Sequence, residues 1–260
     1  MIVVGLIIPA AGAGERLGAG IPKALCALGA EALLVHAVRA GAGSGVVTTV
    51  VIAAPPGEAD AVHKLVAPDI PPGVELHVVE GGSSRRQSVR RALDATPPQV
   101  DVVLIHDAAR CLAPAALFVA VADAIDAGRD AVVPGLPVVD TLKQVDETGA
   151  VVATPDRSLL QAVQTPQGFR RHVLERAHRA AEERGDTTAT DDAGLVEWLG
   201  QPVHVIPGHD HAMKITRPID LVLAEALIAG ENSSEEVRTT SAEPQISSTA
   251  STTDARRSEA

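Results

Sequence analysis

A glycine-rich turn near the N-terminus has the residue types and spacing to bind phosphate. The apolar, β-branched run at residues 2–8 predicts a buried strand, and the turn Pro9-Ala-Ala-Gly-Ala-Gly-Glu-Arg-Leu-Gly18 follows it. Gly12 and Gly14 permit a sharp bend that exposes backbone N–H groups, and such groups bind anions. Arg16 and Lys23 add positive charge beside the bend. The turn therefore predicts a polyphosphate site.

Two other interpretations of this turn are open. Glycines in a strand-to-helix turn also occur where the chain only has to reverse. Gly12 and Gly14 fit the first two positions of the dinucleotide pattern GxGxxG, but its third position falls on Leu17. The dinucleotide pattern also requires an acidic residue at the end of a second strand, whereas Glu31 lies in an apolar helical pattern. These residues therefore argue against an NAD-binding site at this turn.

Two further turns carry charge and hydrogen-bonding groups. In Gly81-Gly-Ser-Ser-Arg-Arg-Gln-Ser-Val89, Ser84 and Gln87 have capping-box spacing, and the same helix start offers N–H groups, hydroxyls and guanidiniums. In His106-Asp-Ala-Ala-Arg110, the Asp107 carboxylate leaves an apolar run and could hold Mg²⁺ against phosphates or simply cap a helix. All three turns follow predicted strands, so they should share one edge of a sheet.

The elements that must position these turns alternate along the chain. Short apolar runs predict strands, and amphipathic stretches between them predict helices. Runs that are apolar on both faces indicate strands covered by helices on both sides. The sequence predicts an α/β, three-layer domain with a mostly parallel sheet. The strands are Thr48–Ala54, Val74–Val79, Val102–His106 and Ala131–Pro134, and the helices are Ala32–Ala40, Gly57–Val66, Ser84–Ala95 and Pro114–Ala127.

Residues 137–157 interrupt this rhythm and are called the arm below. Two short runs flank Asp146-Glu-Thr-Gly149, which predicts a β-hairpin with Gly149 in a left-handed turn position. Such an insertion either grips a second subunit, closes over a site, or is only an exposed ribbon.

The chain beyond the arm holds shorter signals. Gln164–Phe169 predicts a turn and Arg170–Arg184 a helix, with Thr190 capping the helix Ala193–Leu199. A short strand at Val203–Ile206 and a helix at Ile219–Ala229 ended by Gly230 follow. His209 and His211 have metal-like spacing but lack a third ligand nearby.

Composition excludes several classes of function. The formal charge of −11 and an aromatic content of 1% argue against a nucleic-acid-binding surface. The two cysteines are too few for a disulfide framework, and no apolar stretch has the length of a membrane span. Without a basic leader before the first strand, we expect a cytoplasmic protein. Residues 231–260 are rich in Ser and Thr, which predicts a disordered tail.

Taken together, the turns resemble the 2-C-methyl-D-erythritol 4-phosphate cytidylyltransferase family of the isoprenoid pathway. The matching pieces cover residues 3–229 in the family's order, and the ordered set is far more specific than any one piece. They are Pro9–Gly18, Pro22-Lys23, Gly81-Gly82 with Arg85 and Ser88, His106–Arg110, Asp140-Thr-Leu-Lys143, Thr165-Pro-Gln-Gly-Phe169, Thr190-Asp191 and Lys214-Ile-Thr-Arg-Pro218.

The resemblance implies a Rossmann-like nucleotidyltransferase domain over residues 1–230 that transfers the cytidylyl group of CTP to methylerythritol phosphate and releases pyrophosphate. It implies Arg16, Lys23 and Lys214 as catalytic cations, and Asp107 as the ligand of Mg²⁺ or another divalent cation. Nucleotide binding is implied for Pro9, Ala10, Ala11, Gly12, Ala13, Gly14, Gly81, Gly82, Arg85, Ser88 and Asp107, and acceptor binding for Asp107, Arg110, Thr141, Arg157, Thr165 and Thr190.

The resemblance also implies a homodimer in which the arm of one subunit lends Thr141 and Arg157 to the other. Glu15 and His211-Ala-Met213 depart from the family's pattern and leave their local contacts open. The rival functions are cytidylyl transfer to another polyol phosphate such as ribitol 5-phosphate, nucleotidyl transfer to a molybdenum cofactor, and non-catalytic nucleotide binding. The retained Arg16, Lys23 and Asp107 argue against the non-catalytic alternative.

Overall fold

The elements alternate between strand and helix through most of the chain. The computed structural model describes residues 2–12, 21–185 and 189–240. In chain order the strands are β1 (Val4–Pro9), β2 (Ala27–Leu28), β3 (Glu31–Ala32), β4 (Val47–Ala54), β5 (Glu75–Glu80), β6 (Val102–Ile105), β7 (Ala131–Pro137), β8 (Gln144–Val145), β9 (Val151–Ala153), β10 (Gln161–Val163), β11 (Gln167–Arg170) and β12 (His204–Pro207). The α-helices are α1 (Leu33–Ala42), α2 (Ala59–Val66), α3 (Arg85–Asp94), α4 (Ala115–Asp126), α5 (Arg171–Glu183), α6 (Asp192–Trp198) and α7 (Pro218–Thr240).

Eight of the described strands form one sheet in the order β10-β7-β11-β6-β1-β4-β5, with β12 beside β7. The pairs β6-β1, β1-β4 and β4-β5 are parallel, whereas β11 runs antiparallel between β6 and β7. The chain passes from β1 to β4 and β5 on one side and then returns to place β6 on the other. This reversal of strand order beside β1 is where open α/β sheets bind ligands, outside the carboxyl ends of the strands.

Helices cover both faces of the sheet, as the sequence predicts. Along β1, Leu6 and Ile8 face a core built with α1, α2 and α4, while Ile7 faces a second core built with α3, α5 and α6. Alternate residues of a strand point to opposite faces, so a strand between two helical layers is apolar throughout. The only two phenylalanines, Phe118 and Phe169, are fully buried, one in each core. The prediction of a three-layer α/β domain with a mostly parallel sheet is confirmed.

The predicted elements of the domain agree with the described ones within three residues at each end, with three exceptions. First, the prediction of a turn over Gln164–Phe169 is wrong for its second half, because Gln167 and Phe169 pair with β6 inside the sheet. Second, α6 is capped by Asp191 rather than Thr190, since the Asp191 carboxylate accepts a hydrogen bond from the Gly194 N–H at 2.9 Å.

The third exception is the last helix. α7 continues past Gly230, where the sequence predicted its end, to Thr240. A glycine inside a helix costs only about 1 kcal/mol relative to alanine, and Gly230 does not have the left-handed backbone of a terminating glycine. The chain divides into two units at Glu225 and Ala226, and residues 241–260 of the predicted tail lie outside the described residues. Residues 231–240 of that tail lie in α7, and disorder of residues 241–260 stays a prediction.

The hairpin in the arm is confirmed. β8 pairs antiparallel with β9, and Gly149 has a φ of 85° in the connecting turn. The Asp146 carboxylate accepts hydrogen bonds from the N–H groups of Thr148 and Ala150 at 2.9 and 3.0 Å, which fixes the turn.

Candidate active site

A cavity of about 630 Å³ opens at the carboxyl ends of β1, β5 and β6. Its size suits a ligand larger than a single phosphate. Three cations and one carboxylate are found among the described residues that line it. The lining residues are Pro9, Ala10, Ala11, Gly12, Lys23, Ala24, Pro56, Gly82, Ser83, Ser84, Arg85, Ser88, Asp107, Ala108, Ala109, Lys214 and Thr216.

The structure thus brings together most of the residues predicted to bind nucleotide. Gly81 lies just behind the wall, where its N–H donates to Ala54 O at 2.7 Å. Arg16, Ala13 and Gly14 lie outside the described residues. Pro56 also lines the cavity, and no pattern in the sequence marked it. Ser83, Ser84 and Thr216 line it as well. The two serines belong to the turn Gly81–Val89, whose hydroxyls the sequence marked, and Thr216 belongs to the matched segment Lys214–Pro218.

The N-terminus of α3 forms one side of the cavity. Ser84 Oγ accepts a hydrogen bond from the Gln87 N–H at 3.2 Å, and Gln87 Oε1 accepts one from the Ser83 N–H at 3.0 Å. The capping pattern is therefore present, although the return bond reaches Ser83 instead of Ser84. Ser88 Oγ accepts from the Gly82 N–H at 3.1 Å and donates to Ser84 O at 2.9 Å, which ties the glycine turn to the helix.

Asp107 lies between two cations at the centre of the wall. Its Oδ1 is 3.2 Å from Arg85 Nε and its Oδ2 is 2.7 Å from Lys214 Nζ. Burial alone would raise the pKa of Asp107, but the charges of Arg85 and Lys214 hold it well below its usual range. Asp107 is therefore ionised, and segments 107 residues apart in sequence meet at this carboxylate.

A buried pair that sequence reasoning missed lies behind Arg85. Arg85 Nη1 donates to Asp192 Oδ2 at 2.6 Å, and Asp192 Oδ1 is 2.9 Å from His178 Nε2. In the sequence, Asp192 is only the residue that precedes the predicted helix Ala193–Leu199. Because α5 and α6 are brought beside α3 by packing on the sheet, no local pattern could reveal this contact.

Thr165, predicted to bind the acceptor, is buried beneath Asp107. Thr165 Oγ1 lies 3.0 Å from His106 Nδ1 and accepts a hydrogen bond from the Asp107 N–H at 3.1 Å. Burial lowers the pKa of His106 to about 4, so the imidazole is neutral at pH 7. Its ring packs against the Phe118 ring in a tilted arrangement, with centroids 4.8 Å apart and an angle of 57° between the ring planes. In this arrangement, Thr165 fixes the backbone that presents Asp107.

Arg110 joins three segments next to the cavity. Its Nη1 donates to Ala212 O at 2.7 Å and its Nη2 donates to Val163 O at 3.0 Å. Burial lowers the pKa of Arg110. The segment that carries Lys214 is held further by a bond from the Ile215 N–H to Ala109 O at 2.8 Å. Arg110 therefore anchors the loop from which Lys214 extends.

The remaining predicted acceptor residues lie apart from the cavity lining. Thr141 is exposed on the arm, and Arg157 donates from Nη1 to Val139 O at 2.6 Å. Thr190 lines a separate cavity of about 40 Å³ together with Arg85 and Asp192. A single chain thus does not bring Thr141 or Arg157 to the cavity wall.

The oxygen donors of the cavity wall fit one kind of divalent-cation site. No cluster of three His, Cys, Asp or Glu side chains that could hold a metal occurs in the described parts of the chain, so His209 and His211 form no such site there. Asp107 is the one carboxylate among the described lining residues. Mg²⁺ is commonly bound by one or two carboxylates plus phosphates and water, so this wall fits Mg²⁺ that arrives with a nucleotide.

Three cations around a nucleotide-sized cavity, at the switch point of a parallel sheet, define an α/β protein that handles phosphorylated nucleotides. The family model for 2-C-methyl-D-erythritol 4-phosphate cytidylyltransferase matches residues 4–230. This chain belongs to that family.

Individual relatives agree with the family match. The 2-C-methyl-D-erythritol 4-phosphate cytidylyltransferase of Streptomyces avermitilis is 52% identical over 230 residues, which are 86% of this chain and 90% of that one. The protein of the same name from Saccharopolyspora erythraea is 52% identical, over 88% of this chain and 100% of its own. The crystal structure of the Thermus thermophilus protein of that name has a TM-score of 0.69 and 38% identity, covering 87% of this chain and 98% of that one.

Proposed function

We propose that the 630 Å³ cavity is where this chain carries out its family's reaction. The chain is a CTP-dependent cytidylyltransferase that acts on 2-C-methyl-D-erythritol 4-phosphate in the isoprenoid pathway, and it releases pyrophosphate. The observation that carries the proposal for this cavity is the ionised Asp107 held between Arg85 and Lys214 beside the glycine turn. The comparisons do not favour ribitol phosphate as acceptor or a non-catalytic role.

The proposed chemistry is an in-line displacement at phosphorus. An oxygen of the acceptor's phosphate attacks the α-phosphorus of CTP, a new P–O bond forms, and the bond to pyrophosphate breaks. Negative charge accumulates on the transferring group and on the leaving pyrophosphate. Lys23 and Lys214 line the cavity, and with Arg16 they would stabilise this charge. The N–H groups of the two glycine turns and the start of α3 would hold CTP.

Asp107 would hold Mg²⁺ or another divalent cation. Such an ion supplies positive charge that screens the phosphates from one another. Lys214 shares this carboxylate, so the metal ion would compete with the Lys214 ammonium for Asp107. The nucleotide phosphates would compete with Asp107 for that ammonium.

We further propose a cytoplasmic homodimer in which the arm of one copy completes the acceptor side of the other. The support is the exposure of apolar side chains on the arm, namely Val139, Leu142, Val145, Val151 and Val152. Within the described residues, no helix is long and apolar enough to cross a membrane. Cys26 and Cys111 are buried and unpaired, which is compatible with a reducing compartment.

The acceptor is tested by measuring pyrophosphate release with CTP and Mg²⁺. Methylerythritol phosphate and ribitol 5-phosphate are supplied in parallel reactions at equal concentration. We expect fast release with the first acceptor and poor release with the second. A preference for ribitol phosphate would contradict the proposed acceptor while leaving the nucleotide site intact.

A further inference from the structure

Two buried groups stand behind the cavity wall without lining it. The side chains of Asp192 and His178 are each 1% exposed, and neither belongs to the lining of the 630 Å³ cavity. Asp192 uses one carboxylate oxygen for Arg85 and the other for His178. A buried carboxylate is retained only where partners compensate its lost hydration, and these two contacts do so.

Arg85 needs such a support because of its position in the helix. It is the first residue of α3, directly after the Ser84 cap. A helix N-terminus carries partial positive charge, so a guanidinium there is disfavoured unless carboxylates face it. Asp107 supplies one carboxylate from the cavity side and Asp192 the other from the buried side. The guanidinium therefore has one contact to a residue that lines the 630 Å³ cavity and one to a carboxylate that does not line it.

Lys214 differs from Arg85 in this respect. Its side chain is 40% exposed, against 30% for Arg85, and its Nζ pairs with Oδ2 of Asp107. No buried carboxylate behind Lys214 is found among the described residues. An ammonium on a flexible stem can move to an incoming phosphate, whereas a guanidinium bound to a buried carboxylate keeps its place.

We propose that Asp192 and His178 are positioning residues for nucleotide binding, which fix the Arg85 guanidinium in the cavity wall beside Asp107. Arg85 is then the permanent counter-ion of Asp107, and Lys214 is the exchangeable one. The proposal rests on the proposed function, because it assumes that the cavity binds CTP. It assigns no direct contact with substrate to either residue.

The test is equilibrium binding of CTP by calorimetry, together with steady-state kinetics. Asp192→Asn leaves one oxygen where two are used, so Arg85 or His178 loses its acceptor. We expect CTP to bind about tenfold more weakly, as for the loss of one charge-assisted hydrogen bond. The KM for CTP should rise by a similar factor, with kcat at saturating CTP changed less.

A second pair of variants guards against misfolding. His178→Leu removes the donor to Asp192, whereas His178→Gln can place an amide N–H near the position of Nε2. We expect His178→Leu to weaken CTP binding about threefold or more, and His178→Gln to restore most of it. Val173→Ala is the matched control, because Val173 is buried on the same helix α5 as His178 but has no polar side-chain group. It should lower the melting temperature without changing CTP affinity.

The outcomes distinguish the positioning role of Asp192 and His178 from the proposed function of the cavity. Folded Asp192→Asn and His178→Leu proteins that bind CTP like the wild type would overturn the positioning role. Equal effects from His178→Gln, His178→Leu and Val173→Ala would also overturn it, because packing alone would explain them. A wild-type protein that does not bind CTP would instead overturn the proposed function of the cavity.

Discussion

The cavity wall and the arm are built in opposite ways. In the wall, Asp107 meets Arg85 from 22 residues away and Lys214 from 107 residues away. In the arm, Asp146 bonds Thr148, two residues along the chain, and the side chain of Val139 is 79% exposed. The wall is therefore held by the whole fold, while the arm is held by its own turn.

The two halves of the expected site therefore differ in whether a single chain holds their residues together. The groups expected to bind nucleotide already have fixed partners in the cavity wall. Thr141 and Arg157, expected to bind the acceptor, lie on the exposed arm away from that wall. We therefore expect changes in the wall to affect CTP and changes in the arm to affect the acceptor.

The largest effect is expected from Lys214→Ala. Removing this ammonium would take away a charge that we propose stabilises the leaving phosphates, and single donors of this kind are worth about 10²–10³ in kcat. Pyrophosphate release at saturating substrates measures the loss. Lys64→Ala, which removes an exposed lysine on α2, is the control and should keep wild-type turnover. Equal kcat in the two variants would remove Lys214 from the catalytic set.

Acid should destabilise the protein through the cavity side rather than the arm. Burial lowers the pKa of His106 from 6.5 to about 4, so the unfolded chain binds more protons between these values. Stability from this group is complete above pH 6.5 and falls as the pH drops towards 4, by on the order of 3 kcal/mol. Asp107 and Asp192, whose pKa values are held low, lose their contribution only below about pH 4.

Urea unfolding at pH 7.5 and pH 5 measures this loss. His106→Gln should show a smaller drop between the two pH values than the wild type, since the titrating imidazole is gone. His172→Gln, which replaces an exposed histidine on α5, should behave like the wild type. An unchanged pH dependence in His106→Gln would contradict the assignment.

On the arm, Arg157→Ala should raise the KM for methylerythritol phosphate about 10- to 100-fold, the worth of one charge-assisted phosphate contact. The KM for CTP should stay near the wild-type value. Mixing Arg157→Ala with Lys214→Ala protein should recover part of the activity, because mixed dimers would contain one intact site. Failure of the mixture to recover activity would argue that the arm serves its own chain.

The smallest effects are expected from alanine substitutions at two glycines, Gly81 in the wall and Gly149 in the arm. A Cβ at Gly81 would lie 2.9 Å from the backbone oxygen of Ala54 and would also meet Ala11, so Gly81→Ala must displace the wall. A Cβ at Gly149 meets nothing within 4 Å, and only its φ of 85° opposes substitution. Gly81→Ala should cost about 1–3 kcal/mol and weaken CTP binding. Gly149→Ala should cost about 1 kcal/mol and leave CTP binding unchanged, as thermal melts and calorimetry can show.

Local patterns in the sequence were sufficient for most of the fold. The apolar runs predict the strands of the sheet that lies between the two helical layers, and Asp146–Gly149 predicts the hairpin turn. The antiparallel placement of β11 was not readable, because Gln167–Arg170 is a strand only through pairing with β6 and β7. The predicted end of α7 at Gly230 is wrong, because the prediction assumed that a glycine near a helix end terminates the helix.

For the site, the predictions depended on turns that follow strands, and the sheet brings those turns to one edge. The sequence could not predict the contacts of Asp192 and His178, because Arg85, the partner of Asp192, is 107 residues away in sequence. The roles of Arg16, Thr141 and Thr190 stay predictions. A buried contact between distant helices has no periodicity or spacing that a sequence can display.

CTP calorimetry on Arg157→Ala and Lys214→Ala proteins, prepared side by side, tests the division between wall and arm most directly. We predict that Arg157→Ala binds CTP with wild-type affinity, while Lys214→Ala binds it about tenfold more weakly, as for one lost charge contact to a phosphate. Wild-type CTP affinity in Lys214→Ala together with weakened binding in Arg157→Ala would contradict the account.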